Sequence, residues 1–128
     1  MHLAAYNGKL NVVEPLINKG ANIDAKGRNG QTPLFYAVQG GNLKMVKYLV
    51  DEGANVNARD KDGETLLHHA AIMGKFNTAR VLLKHKADVN AKNNRGMTAL
   101  HYATDFDHRD LVKLLLVHGA VPVTTESI

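Results

Sequence analysis

The sequence repeats itself every 33 residues. Thr32, Thr65 and Thr98 keep that step, as do Ala4, Ala37, Ala70 and Ala103, the leucines at 16, 49, 82 and 115, and Gly30, Gly63 and Gly96. A period of this length means an array of supersecondary units rather than one mixed fold. A single unit cannot bury its apolar face alone and covers it with its neighbours.

Each unit reads as two helices. "TPLFYAVQG" and "NLKMVKYLVDEG" both carry apolar residues at helical spacing and both run into a glycine. Thr32 precedes Pro33, which places a hydroxyl where it can cap free amides and a proline where no hydrogen bond is lost. The first helix is expected to start there. After Gly53 the polar run "ANVNARDKDG" has the Asn, Asp and Gly content of a projecting loop or tight hairpin.

These motifs resemble the ankyrin repeat signature: Thr-Pro-Leu-His-x-Ala-Ala, a glycine, a Val-Val-x-x-Leu-Leu helix and Gly-Ala-Asp-Val-Asn-Ala. The counterparts here are "QTPLFYAVQGG", "ETLLHHAAIMG" and "MTALHYATDFD", with "GANIDA", "GANVNA" and "KADVNA". The resemblance implies an all-α solenoid of stacked helix-turn-helix units with projecting β-hairpin loops and a concave and a convex face. Repeats are expected over about 1–30, 31–63, 64–96 and 97–123, with 124–128 as a tail.

Departures from the pattern carry their own expectations. Met1 stands where the motif leucine belongs, so the first unit lacks its own hairpin. Pro15 falls inside a second helix and is expected to kink it or spoil one turn. Lys86 and Asp107 replace glycines at helix ends, where aspartate tolerates left-handed geometry better than lysine. Leu114 and Val117 stand where Tyr48 and Asp51 stand two units earlier, although terminal units normally turn a polar face outward. Such an end belongs to a piece of a longer array, or is covered by the tail "VPVTTESI" folding back. A monomer is expected, with end-to-end association as the risk.

Histidines are the most tempting chemical residues. His2, His68 and His101 share one register, with Phe35 at the fourth place. A side chain that phenylalanine can replace is structural, and in the family this histidine bonds locally and bridges to the neighbouring loop. A zinc site needs three or four ligands converging at about 2.0–2.1 Å, which equivalent positions of stacked units do not provide. Neither a metal nor a cofactor is expected. His69 lies in another column, with Leu3, Tyr36 and Tyr102, on the side that the family turns to its concave face.

An enzyme is not expected, and no catalytic residue is assigned. Cysteine is absent, Ser127 is the lone serine, and no nucleophile elbow or phosphate-binding glycine loop occurs. The cluster "DFDHRD" (105–110) reads as a solvated turn. No run approaches the length of a membrane span. A cytoplasmic protein is expected, with the nucleus or delivery into a host cell as secondary alternatives.

Surface remains as the functional feature. By register the hairpin tips carry Arg28, Arg59, Lys61 and Arg95, and the first helices and their ends offer Tyr6, Tyr36, Gln39, His69, Ile72, Met73, Tyr102 and Phe106. Basic tips beside an apolar strip have the composition of a protein interface, and the net charge of +4 favours acidic partners. The expected function is non-catalytic binding of a protein or peptide with acidic and apolar features. Two alternatives are binding of nucleic acid or another polyanion by the tips, and service as the targeting part of a larger enzyme or effector. Stacking aromatics are sparse at the tips, which counts against nucleic acid. The ending "ESI" matches weak ligands of domains that capture carboxyl ends.

Overall fold

Apolar residues recurring at helical spacing, interrupted every few turns by a left-handed residue, give helix pairs. The computed structural model, which describes residues 1–122, contains eight α-helices among them: α1 (His2–Tyr6), α2 (Leu10–Asn18), α3 (Pro33–Gln39), α4 (Leu43–Asp51), α5 (Leu66–Met73), α6 (Phe76–Lys84), α7 (Ala99–Asp105) and α8 (Arg109–Val117). The tail expectations fall on 123–128, outside the described residues. The odd-numbered helices pack against one another in one layer, and α4, α6 and α8 form a looser second layer. Tighter spacing on one side curves a stack toward that side, so the odd-numbered layer lines the concave face. At Gly40 the backbones of α1 and α3 come close: a Cβ there would collide with the Tyr6 carbonyl.

The core runs as columns through the stack. Leu49, Leu82 and Leu115 are fully buried, as are Val13, Val46 and Ala79. Each buried leucine contributes about 1.5–3 kcal/mol. The projecting loops contain no named strand among the described residues. Only an isolated antiparallel bridge, Arg59 with Thr65, marks a hairpin. Backbone bonds join successive tips, from the Lys61 N–H to the Asn29 carbonyl (2.9 Å) and from the Asn94 N–H to the Asp62 carbonyl (3.1 Å), and a ladder of side chains runs beside them. The Asn55 N–H donates to Asp24 Oδ1 (2.9 Å), Asp88 N–H to Asn57 Oδ1 (2.7 Å) and Val121 N–H to Asn90 Oδ1 (2.8 Å). In return Asn57 and Asn90 donate through Nδ2 to the carbonyls of Lys86 (3.3 Å) and Gly119 (3.1 Å). Asp24 has no amide and makes only the first bond of each pair.

Two local expectations need correction. Pro15 does not shorten its helix, since α2 has the same nine residues as α4, α6 and α8. Pro15 is exposed, so water can reach the Asn11 carbonyl that loses its partner. At Thr32 no side-chain cap forms, and the hydroxyl is buried without a partner. By contrast, Asp107 (φ 58°) and Lys86 (φ 71°) both take the left-handed conformation of the glycines they replace. Because a Cβ costs about 1–2 kcal/mol in that region, Lys86→Gly is expected to raise unfolding stability by about 1 kcal/mol in urea titration.

Candidate functional site

The neighbouring pair His68 and His69 separates into two roles, both set by carbonyl, carboxylate and amide positions. His68 is fully buried at the third position of α5. Its Nδ1 accepts from the Thr65 N–H (2.9 Å) and lies 2.8 Å from Thr65 Oγ1, while Nε2 lies 2.8 Å from the Met97 carbonyl of the next unit. A backbone N–H can only donate and a carbonyl can only accept, so the ring is held as the neutral Nε2–H tautomer. Thr65 Oγ1 in turn accepts from the His68 N–H (3.3 Å), closing a reciprocal cap. Thr98 and His101 repeat the cap. Phe35 offers no ring nitrogen, which is why the Thr32 hydroxyl is left alone.

Burial, the largest cause, lowers the pKa of His68 below its ordinary 6.5, with the Met97 carbonyl acting in the opposite direction. The unfolded chain therefore takes up this proton first as pH falls. The stability that His68 contributes is present above the unfolded value and is lost as pH falls through the lower folded one.

His69 is not a free contact. Its Nε2 lies 3.2 Å from Asp60 Oδ2, with the two side chains 18% and 4% exposed, and its ring meets the edge of Phe35 at 5.3 Å. Asp60 is the centre of this group. Its Oδ1 accepts from the N–H groups of Asp62 (2.9 Å) and Glu64 (3.0 Å), which folds the tip, and its Oδ2 receives Gln31 (3.4 Å) from the preceding tip. One period later Asn93 does the same work. Its Oδ1 accepts from Arg95 N–H and Met97 N–H, and its Nδ2 donates to Glu64 Oε1 (2.6 Å) and to the Tyr102 hydroxyl (2.8 Å). Tyr102 is buried and its hydroxyl donates to Glu64 Oε2 (3.0 Å) while accepting from Arg95 Nη2 (3.1 Å). Burial raises the Tyr102 pKa, and Arg95 opposes the shift.

The column expected to touch a partner is thus largely spent inside the protein. Tyr102 is buried, His69 is pinned, and Tyr36 is half-buried with His2 against its ring at 5.2 Å. Sequence reasoning missed Asp60 and Asn93, although both lie nine residues before the side chain they hold. Two tip cations are also engaged: Arg59 donates to the carbonyls of Gly63 (3.1 Å) and Lys92 (2.6 Å), and Arg95 to Tyr102. Arg28 and Lys61 point outward from exposed positions.

The far ends of the odd-numbered helices carry more open apolar side chains. Phe106 is 53% exposed and Tyr6 45%, with Ile72 and Met73 half-buried between them and Gln39 bonded to Gln31 (3.1 Å). His108 gathers the strip, with its Nε2 3.3 Å from the Ile72 carbonyl and its ring stacked on Phe106 at 6.2 Å. Beside it a shallow depression of about 360 Å³ is lined by Gly74, Phe76 and residues 107–111. The acidic cluster there is a turn, in which Asp107 adopts the left-handed bend and pairs with Arg109 at 3.2 Å in solvent. No group of three or more candidate metal ligands occurs among the described residues.

The cap accounts for a difference between units that can be measured. Thr65→Val, which removes a bonded hydroxyl, is expected to cost about 1–2 kcal/mol of stability. Thr32→Val removes an unpartnered one and should be neutral or slightly stabilising. Paired urea titrations decide; equal losses would contradict the cap.

Paired helices, a threonine–histidine bridge to the next unit and a side-chain ladder at 33-residue intervals agree with the comparison to known families. A model described as Ankyrin repeats (3 copies) matches residues 1–93 and 56–126. No curated protein matches the sequence. Such repeats are typically protein interaction modules and are usually non-catalytic, and no described helix is long and apolar enough to cross a membrane. The chain belongs to the ankyrin repeat family.

Proposed function

We propose that the protein binds a protein or peptide partner through the strip of Ile72, Met73 and Phe106, with Arg28 and Lys61 attracting acidic groups on that partner. The observation that carries this reading is the exposure of Phe106 at 53% beside two half-buried apolar side chains. A large ring held by His108 presents apolar area without much ordering cost on binding. Outward Arg28 and Lys61 act mainly on approach and on discrimination among partners. The engagement of Arg59 and Arg95 within the protein removes two of the cations that polyanion binding would use.

Tyr6 and Gln39 extend the same face toward the first unit. His69, Tyr36 and Tyr102 shape its floor from behind the hairpins rather than gripping the partner. The partner's apolar residues meet the strip, and its acidic residues lie toward the tips.

Affinity capture with the wild type and with Met73→Ala/Phe106→Ala, followed by titration of any retained protein, tests the assignment. The double variant should weaken binding by about 2 kcal/mol, roughly thirtyfold, with a nearly unchanged unfolding midpoint. Equal affinity for both proteins would remove the strip from the interface.

A further inference from the structure

The 33-residue period allows one joint inside the chain to be compared with the next. Where the unit of α5 and α6 meets that of α7 and α8, the bonding is dense. His68 reaches the Met97 carbonyl (2.8 Å) and Arg59 the Lys92 carbonyl (2.6 Å). Asn57 donates to the Lys86 carbonyl (3.3 Å) and accepts from the Asp88 N–H (2.7 Å), and Glu64 accepts from Asn93 (2.6 Å) and from the Tyr102 hydroxyl (3.0 Å). One period earlier Phe35 stands for His68, Lys26 for Arg59, Asp24 for Asn57 and Gln31 for Glu64. Among the described residues, the polar bonds left at that joint are the Asn55 N–H to Asp24 (2.9 Å), the Lys61 N–H to the Asn29 carbonyl (2.9 Å) and a long one from Gln31 to Asp60 (3.4 Å).

Packing follows the bonds. In the odd-numbered layer α3 lies less closely on α5 than α7 does, and less closely than it lies on the shorter α1. Gly40 against the Tyr6 carbonyl, and His2 bonded to the Ala25 carbonyl (2.7 Å) and edge-on to Tyr36, keep α1 with α3. The second layer is loose throughout and does not distinguish the joints. We infer that the stack opens at one internal joint: α1–α4 unfold together as one body while α5–α8 stay folded. Apolar columns close this joint at rest, but contacts without direction resist parting less than bonds to fixed carbonyls do. Both reciprocal threonine–histidine caps lie in α5–α8, whereas α3 has none and leaves the Thr32 hydroxyl orphaned beside Phe35. The weaker body is therefore the first. Opening removes Tyr6, Arg28 and Gln39 from the binding face and leaves Ile72, Met73 and Phe106 in place on the second body. The inference does not depend on that strip binding a partner.

Hydrogen exchange of the full chain in rising urea, read by mass spectrometry, tests the joint. Amides of α1–α4 should share one opening, with a common urea dependence, and should be about tenfold or more less protected than those of α5–α8. The change should come as a step between α4 and α5. Asp24→Asn with Lys26→Arg leaves the core untouched, keeps the acceptor for the Asn55 N–H and supplies donors for the Gly53 and Arg59 carbonyls, as Asn57 and Arg59 do one unit on. That double variant should shrink the step severalfold. The reverse change, Asn57→Asp with Arg59→Lys, should create a second step between α6 and α7. Protection that varies smoothly along the helices, a wild-type step at another joint, or a step that the Asp24/Lys26 variant leaves unmoved would overturn the inference.

Discussion

One imidazole fastens two units in a single register. His68 takes the Thr65 N–H on one nitrogen and reaches the Met97 carbonyl on the other, so a helix start and the loop of the next unit share one rigid ring. The apolar columns alone would permit sliding, because leucine, valine and alanine contacts have no direction. A buried ring with both nitrogens assigned permits one position only. The neighbouring polar groups repeat the principle: Asp60 and Asn93 each fold their own tip and hold a side chain of the next helix.

This economy decides what is left for function. Polar groups that look available at the hairpins are largely committed, and a committed side chain contributes stability and shape rather than contacts. The surface that remains consists of an apolar strip at the far ends of the odd-numbered helices and outward cations at the tips. Because the units are tied by directional bonds, this surface is held in place by the stack itself. The stack itself is a one-dimensional array in which each unit contacts its neighbours.

Much of the architecture was legible in the sequence because the period fixes both helix positions and burial. The role of His68 followed from its exchange with Phe35, and the left-handed bends at Lys86 and Asp107 followed from the glycines they replace. The candidate site was less legible. His69 and Tyr102 stand in a column that reads as variable, and their variability is matched by that of their holders: a carboxylate faces an imidazole in one unit, and an amide with Glu64 faces a phenol in the next. Pairs that change together between units keep no single residue type at either place, so register alone hides them. The cap at Thr32 failed for a related reason, since the threonine was present but its imidazole partner was not.

The bridge through His68 is tested most directly by nitrogen and proton NMR of its ring as a function of pH. The account predicts the neutral tautomer with hydrogen on Nε2 at pH 7 and a titration midpoint below the ordinary 6.5, accompanied by loss of stability over the same range. A ring carrying hydrogen on Nδ1, or one that protonates at or above 6.5 without any change in stability, would contradict it.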